Sequence, residues 1–240
     1  PTMTEQIIAQ RLGIALRQVQ GTVRLLRDGA TIPFISRYRK EATGSLDELQ
    51  VGAVKEQLDK LTELEARKQT VLSTIGEQGK LTDELRKRIE ACWEAVELED
   101  IYLPYKPKRR TRATVARERG LEPLANSIMA QNSHDIARQA QRFVTADVPT
   151  PEEAIAGACD IIAERVSEDE RARNSVRRTA AREGAVHSWL VKGKEQEGVK
   201  YSDYFDATSP LRTVSSHRFL AMRRGMDEGV LKISVEMDAD

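Results

Sequence analysis

Several residue types are scarce in this sequence, and each scarcity argues against a class of protein. Aromatic residues make up 5% of the 240 residues, and there are three histidines and two cysteines. Cys92 and Cys159 lie far apart, without a CxxC pair or a histidine at metal-ligand spacing, so we predict two reduced thiols and no metal site. The 38 basic and 38 acidic residues cancel, so only local clusters of charge can attract nucleic acid.

Long apolar runs and a signal sequence are also missing. No stretch approaches the ~18 consecutive apolar residues that span a bilayer, and the first residues do not resemble a signal peptide. We therefore expect a cytoplasmic protein that makes no contact with membranes.

The sequence patterns of common enzymes and cofactor sites are absent as well. There is no GxGxxG, GxxxxGK[ST], HExxH or GxSxG, and His134, His187 and His217 are far apart in the sequence. Asp203 and Asp206 could pair as nuclease-type metal ligands, but no third acid lies on a nearby strand, which favours capping of a helix or turn. We predict no catalytic residue, no cofactor and no enzymatic activity.

What the sequence does contain is the composition of a helical protein, with 40% hydrophobic and 32% charged residues. Apolar residues at spacings of three and four predict helices near 4–28, 46–76, 82–96, 121–131, 135–143 and 151–182. One strand is predicted at 229–237, where apolar and polar residues alternate. The expected fold class is all-α, with long helices and one short terminal strand. Because a lone strand is marginal, the sequence looks like part of a larger multidomain protein.

The first predicted helical region has the spacing of a helix-turn-helix. Ala9, Gly13 and Val19 fit a small residue at the helix crossing, a turn glycine and a buried aliphatic in the second helix. The same spacing occurs in ordinary helical hairpins, so both interpretations stay open.

A basic segment follows the third predicted helix. Residues 99–120 hold seven cations and three acids, a local charge of +7 − 3 = +4, and Pro104 and Pro107 prevent a continuous helix. We expect an extended loop whose bases contact phosphate without sequence preference. The candidate nucleic-acid-binding residues here are Lys106, Lys108, Arg109, Arg110 and Arg112.

A second basic cluster lies in the stretch IPFISRYRKEATGSLDELQ at 32–50. Arg37, Arg39 and Lys40 are candidate phosphate contacts, although neighbouring acids could pair with them. The alternative is a packed corner between helices, with Phe34 and Ile35 turned toward the core.

The organisation along the chain suggests two bodies. We predict that 1–120 and 201–240 form one helical body that includes the helix-turn-helix-like hairpin, and that 121–200 form an inserted helical sub-bundle.

Three blocks of the sequence closely resemble the Tex family of bacterial transcription accessory proteins. They are the stretch at 32–50, ELEDIYLPYKPKRRTRATVARERGLEPLA at 97–125, and KYSDYFDATSPLRTVSSHRFLAMRRG at 200–225. The resemblance implies a helical N-terminal region of a protein about three times longer, followed by an RNase H-like module, helix-hairpin-helix motifs and an OB-fold RNA-binding domain.

The resemblance leaves two functions open for this chain. One is nucleic-acid binding (RNA, DNA or both) in transcription, with backbone phosphate contacts added by the segment 106–112. The other is a protein–protein scaffold that docks the downstream RNase H-like and OB-fold domains or the transcription machinery, with no nucleic-acid contact of its own.

Overall fold

The structure, a computed structural model, describes residues 1–132 and 134–238. The described residues are mainly helical, as the sequence predicts, with one small sheet. The α-helices are α1 (Met3–Leu12), α2 (Leu16–Arg27), α3 (Ile32–Tyr38), α4 (Lys40–Thr43), α5 (Glu48–Glu77), α6 (Asp83–Ala91), α7 (Ala95–Tyr102), α8 (Arg112–Glu118), α9 (Glu122–Ala130), α10 (Ile136–Gln141), α11 (Pro151–Glu168), α12 (Glu170–Glu183) and α13 (Ser216–Asp227). None of the helices in this part of the chain combines the length and apolarity needed to cross a membrane.

The predicted hairpin at the start of the chain is present as α1 and α2. Gly13 ends α1 with a φ of 65°, a left-handed conformation that glycine adopts without strain. Val19 of α2 is fully buried, as the spacing predicts. Gly21 of α2 lies against α4, where an added Cβ would stand 1.9 Å from the Ala42 carbonyl oxygen. The glycine therefore permits close packing of α2 on α4.

The long predicted helix is α5, which forms the centre of the first hydrophobic core. Asp47 caps it by accepting a hydrogen bond from the Gln50 N–H at 2.8 Å. Its buried stripe includes Val51, Val54 and Leu61, and this core draws all its residues from between Ile7 and Tyr105. The helix predicted at 82–96 is instead two helices, α6 and α7, because the backbone at Cys92 is extended.

The helices α8 to α11 enclose a second core. Its buried residues lie between Ala113 and Ile161. Helix α8 is not predicted by the sequence, because the prolines and the charge of 99–120 indicate a loop. The helix begins at a cap that the prediction missed: the Thr111 hydroxyl accepts a hydrogen bond from the Thr114 N–H at 3.1 Å. The helix predicted at 151–182 is divided at Asp169 into α11 and α12.

The sheet has three antiparallel strands in the order β2-β1-β3: β1 (Ala185–Leu190), β2 (Asp206–Pro210) and β3 (Leu231–Glu236). The predicted terminal strand is β3, but it is not alone: Val186 of β1 pairs with Ser209 of β2 and with Val235 of β3. A short 3-10 helix at Val199–Tyr204 precedes β2.

Contacts divide the chain into a first unit, Pro1–Pro107, and a second unit, Lys108–Asp240. The sequence-based division instead ends a sub-bundle at 200 and groups 201–240 with 1–120. Strand β1 lies before that limit, and its partners β2 and β3 lie after it.

Candidate nucleic-acid interface

The limit between the two units falls within the predicted basic segment, between Pro107 and Lys108. Lys106 belongs to the first unit, where it is exposed. Its charge makes a small contribution to lowering the pKa of Glu99, whose main cause is the hydrogen bonds donated by Arg67 at 2.7 and 3.1 Å. The other four predicted bases belong to the second unit.

Glu164 of α11 anchors the start of the second unit. One carboxylate oxygen accepts from Arg117 at 2.9 Å and from Lys108 at 3.3 Å, and the other accepts from the Thr111 hydroxyl at 3.0 Å. Lys108 also pairs with Glu168. The side chains of Glu164 and Glu168 are only 14% and 15% exposed, so Lys108, whose own side chain is 30% exposed, is engaged with half-buried acids.

The protonation of Glu164 follows from these contacts. Burial raises the pKa of its carboxyl, but hydrogen bonds from Arg117, Thr111 and Lys108 outweigh that effect, and the pKa is lowered from its ordinary value of 4.5. Glu164 is therefore ionised at neutral pH, and it fixes the basic segment onto α11.

The remaining bases of the segment are exposed. Arg112 is 89% exposed and lies 3.7 Å from Asp160, a long ion pair. Arg110 is 68% exposed and donates to Glu118 at 2.8 Å. Arg109 is exposed and has no ion pair with any residue that the structure describes. Exposed pairs of this kind contribute about 0–1 kcal/mol, so a phosphate can displace the acids at low cost.

A groove of about 560 Å³ lies between α8 and α11, and we refer to it as the basic groove. Arg110, Arg112 and Arg119 line it, with Glu153 and Asp160 among the α11 residues opposite. Gly157 forms part of its floor, where an added Cβ would stand 2.4 Å from Leu121. Arg119 is not among the predicted residues; its position at the end of the same basic run is the signal that could have found it.

The second predicted basic cluster is at the junction of α3 and α4. Arg39 is paired with Glu41 at 2.6 Å, whereas Arg37 and Lys40 are exposed and have no ion pair within the described ranges. Ile35 is fully buried, as expected, but the expectation that Phe34 turns toward the core is wrong, because its side chain is 44% exposed.

Asp206, one of the two acids of the predicted turn region, has a different role from the one expected. Asp206 accepts from His187 at 2.8 Å instead of capping a helix or turn, and the other ring nitrogen of His187 lies 2.8 Å from Glu236. The described residues contain no group of three or more side chains suited to hold a metal ion. No sequence signal joins His187 to these two acids, since the three residues meet only across the sheet.

Comparison with known families and proteins identifies both parts of the chain. Residues 2–76 match the Tex-like protein N-terminal domain, and residues 131–240 match the Tex central region-like family. The protein YhgF of Escherichia coli is 48% identical over 235 residues, covering 97% of this chain and 30% of the relative.

Two further relatives extend the comparison. The transcriptional accessory protein Tex of Neisseria gonorrhoeae is 46% identical over 235 residues, covering 98% of this chain and 31% of the relative. The human S1 RNA-binding domain-containing protein 1 is 27% identical over 239 residues, covering 97% of this chain and 24% of the relative. The chain thus spans less than a third of the length of these relatives. With its N-terminal and central regions both matched, the chain belongs to the Tex family.

Proposed function

We propose that the chain acts in transcription as a non-enzymatic helical module that contacts the phosphate backbone of nucleic acid through Arg109 and the basic groove. The names of the relatives support the two parts of this proposal separately. One is a transcriptional accessory protein and another contains an S1 RNA-binding domain. Neither name describes the part of the protein to which this chain corresponds.

The observation that carries the proposal is the anchoring of the basic segment by Glu164. Lys108, Thr111 and Arg117 all donate to this one carboxylate, which orders the backbone between them. Arg109 and Arg112 then project into solvent from an ordered support rather than from a mobile tail. Phosphate contacts require cations in such positions but no particular base sequence, so the proposed binding is nonspecific.

Salt-dependent binding tests this proposal. Arg109→Gln together with Arg112→Gln should weaken binding of the 240-residue chain to a labelled duplex and to a labelled single strand about equally. The slope of log affinity against log salt should fall by roughly one unit for each phosphate that the variant no longer neutralises. Fluorescence anisotropy over a series of salt concentrations measures both quantities.

The matched control removes the same charge elsewhere in the second unit. Arg223 and Arg224 of α13 are exposed and have no ion pair among the described residues, so Arg223→Gln with Arg224→Gln should leave the slope nearly unchanged. Equal affinities and slopes for the Arg109, Arg112 variant and the unaltered chain would show that neither Arg109 nor the basic groove contacts nucleic acid.

A different observation favours a second candidate function, a scaffold that docks the rest of a longer protein, such as an RNase H-like module. Helix α12 has 14 residues and none is buried, and its Val176 is 56% exposed. A helix that is polar on all sides and has no buried face can bridge between domains. In the full-length Escherichia coli relative, the corresponding helix should then exchange amide hydrogens more slowly than in its isolated matching region; equal exchange would contradict docking there.

A further inference from the structure

The surface of α3 carries two aromatic side chains that the core does not use. Phe34 is 44% exposed and Tyr38 is 70% exposed, and their rings lie 5.6 Å apart at an angle of 45°. They are four residues apart and therefore neighbours on one face of the helix. In a chain with 5% aromatic residues, two adjacent exposed rings set this surface apart from the rest of the chain.

The opposite side of α3 explains why the rings stay exposed. Ile35 and Ser36 are buried, and the Ser36 hydroxyl donates to the Pro33 carbonyl at 3.1 Å. Thr31 caps the helix by accepting from the Phe34 N–H at 3.4 Å. The helix is thus attached to the core through one face, which leaves the face with Phe34 and Tyr38 ordered and open to solvent.

Two cations accompany the rings. Arg37 lies three residues after Phe34 and so shares its face of the helix, and Lys40 follows at the start of α4. Both are exposed, and neither has an ion pair with any residue in the described part of the chain. The contrast with Arg39, which Glu41 neutralises at 2.6 Å, shows that only part of this basic cluster is compensated internally.

We propose that Phe34, Arg37, Tyr38 and Lys40, which we call the α3 face, bind single-stranded nucleic acid. An unpaired base stacks on the exposed ring of Tyr38 or Phe34, and Arg37 and Lys40 contact the adjoining phosphates. Exposed aromatic rings beside uncompensated cations are the combination that proteins use for single strands, because every base offers a flat π-surface and every nucleotide a negative charge.

The chemistry of the α3 face favours this ligand over an apolar protein surface. An apolar partner would bury the charges of Arg37 and Lys40 without pairing them, which is costly. A duplex would satisfy the cations but would keep its bases stacked on one another and away from the rings. The α3 face lies in the first unit, so its function does not depend on the basic groove of the second unit.

The test compares single-stranded and duplex probes on the 240-residue chain. The probes are a fluorescein-labelled oligouridylate of about 10 nucleotides, within the site sizes of single-strand binders, and a duplex of equal length. The double variant Phe34→Leu, Tyr38→Leu keeps apolar side chains but removes the rings. It should bind the single strand at least about tenfold more weakly and the duplex nearly unchanged.

Two further pairs of variants separate stacking and charge from general effects on the fold. Tyr38→Trp should retain binding, and stacked bases should quench the fluorescence of the new indole. Leu49→Ala removes another side chain of the first unit that is 86% exposed but has no ring, and it should leave affinity unchanged. Arg37→Gln should reduce the salt dependence more than Arg39→Gln, whose charge is already paired.

Each outcome decides the proposal. Selective loss of single-strand affinity in the leucine variant, with helical circular dichroism intact, supports it. Equal affinity of that variant and the unaltered chain for oligouridylate, or no binding of oligouridylate by the unaltered chain, overturns it and leaves a protein partner as the ligand of the α3 face. Because the glutamines at Arg109 and Arg112 affect single strand and duplex alike, failure of the basic groove and failure of the α3 face give different results.

Discussion

The carboxylate of Glu164 accepts hydrogen bonds from three side chains, those of Lys108, Thr111 and Arg117, and so holds the start of the second unit against α11. Replacing Glu164 with alanine leaves Lys108 and Arg117 half-buried without their shared acceptor. We expect Glu164→Ala to lower the free energy of unfolding by about 2 kcal/mol, in the range for hydrogen bonds to charged groups. Chemical denaturation measures this, with Glu152→Gln, an exposed acid of the same helix, as a control expected to lose less than about 1 kcal/mol.

The lowered pKa of Glu164 also predicts how the stability of the folded chain changes with pH. When the pKa of a carboxyl is lower in the folded state than in the unfolded state, its ionisation stabilises the fold. This stabilisation is complete at pH values above the unfolded pKa and is lost as the pH falls through the folded pKa. The stability difference between the unaltered chain and Glu164→Gln should therefore be full at neutral pH and narrow as the pH falls below about 4.5. A difference that stayed constant from pH 7 to pH 3 would contradict the assigned contacts.

Two helical glycines should respond in opposite directions to the same substitution. In Gly21→Ala the new Cβ would meet the Ala42 carbonyl oxygen at 1.9 Å, so α2 and α4 must move apart at a cost of about 1–3 kcal/mol. In Gly52→Ala the Cβ meets nothing within 4 Å, and alanine should stabilise α5 by up to about 1 kcal/mol. Thermal unfolding of the two variants checks this pair; destabilisation by both would mean that helix packing is not the cause.

At the scale of elements, His187 in the central strand of the sheet contacts an acid on each of the two neighbouring strands. Its ring nitrogens face Asp206 on β2 and Glu236 on β3, both at 2.8 Å, and its ring lies 5.1 Å from that of Trp189. Hydrogen bonds to Asp206, then to Glu236, raise the pKa of His187 above its ordinary 6.5. Both contacts are strongest when the imidazole is charged, so protonation and cross-strand pairing support each other.

This arrangement predicts that the sheet loses stability on the alkaline side. When the pKa of a histidine is higher in the folded state than in the unfolded state, its protonation stabilises the fold. This stabilisation is complete at pH values below the unfolded pKa and disappears as the pH rises through the folded pKa. The unaltered chain should lose more stability than His187→Gln between pH 6 and pH 9. NMR titration should place the His187 pKa above 6.5, and Asp206→Asn should lower it; a titration at or below 6.5 would contradict the bridging role.

The sheet also shows why two of its strands are hard to predict from the sequence. Strand β1 buries Val186 and Ser188 on one face, and the buried Ser188 hydroxyl donates to the Tyr204 carbonyl at 2.8 Å. Because a polar residue points inward, the apolar–polar alternation that marks a strand is absent. Strand β2 is short and ends at Pro210, which suits an edge strand but resembles a turn in sequence. Strand β3 keeps its alternation, and the sequence predicts it.

At the scale of the whole molecule, the hydrophobic cores follow the division into units. Every buried residue of the first core lies within 1–107, and the buried residues of the other three clusters lie within 108–240. A polypeptide of residues 1–107 should therefore fold alone, with helical circular dichroism and one cooperative unfolding transition. The absence of a cooperative transition in this polypeptide would show that its core is incomplete.

The sequence by itself identifies the helical class, the α1–α2 hairpin, the long helix α5 and the family. Helical periodicity, capping residues and unusual sequence blocks are local properties, so they can be recognised without a structure.

Only the tertiary structure decides which charged side chains are paired and which aromatic rings are exposed. Lys108 and Arg109 are adjacent and equally basic in sequence, yet only Lys108 meets the half-buried acids of α11, more than fifty residues away. Likewise Ile35 enters the core while Phe34 stays in solvent, since the packing of α3 gives neighbouring side chains opposite sides. Pairing and exposure depend on contacts between distant segments, which no local pattern encodes.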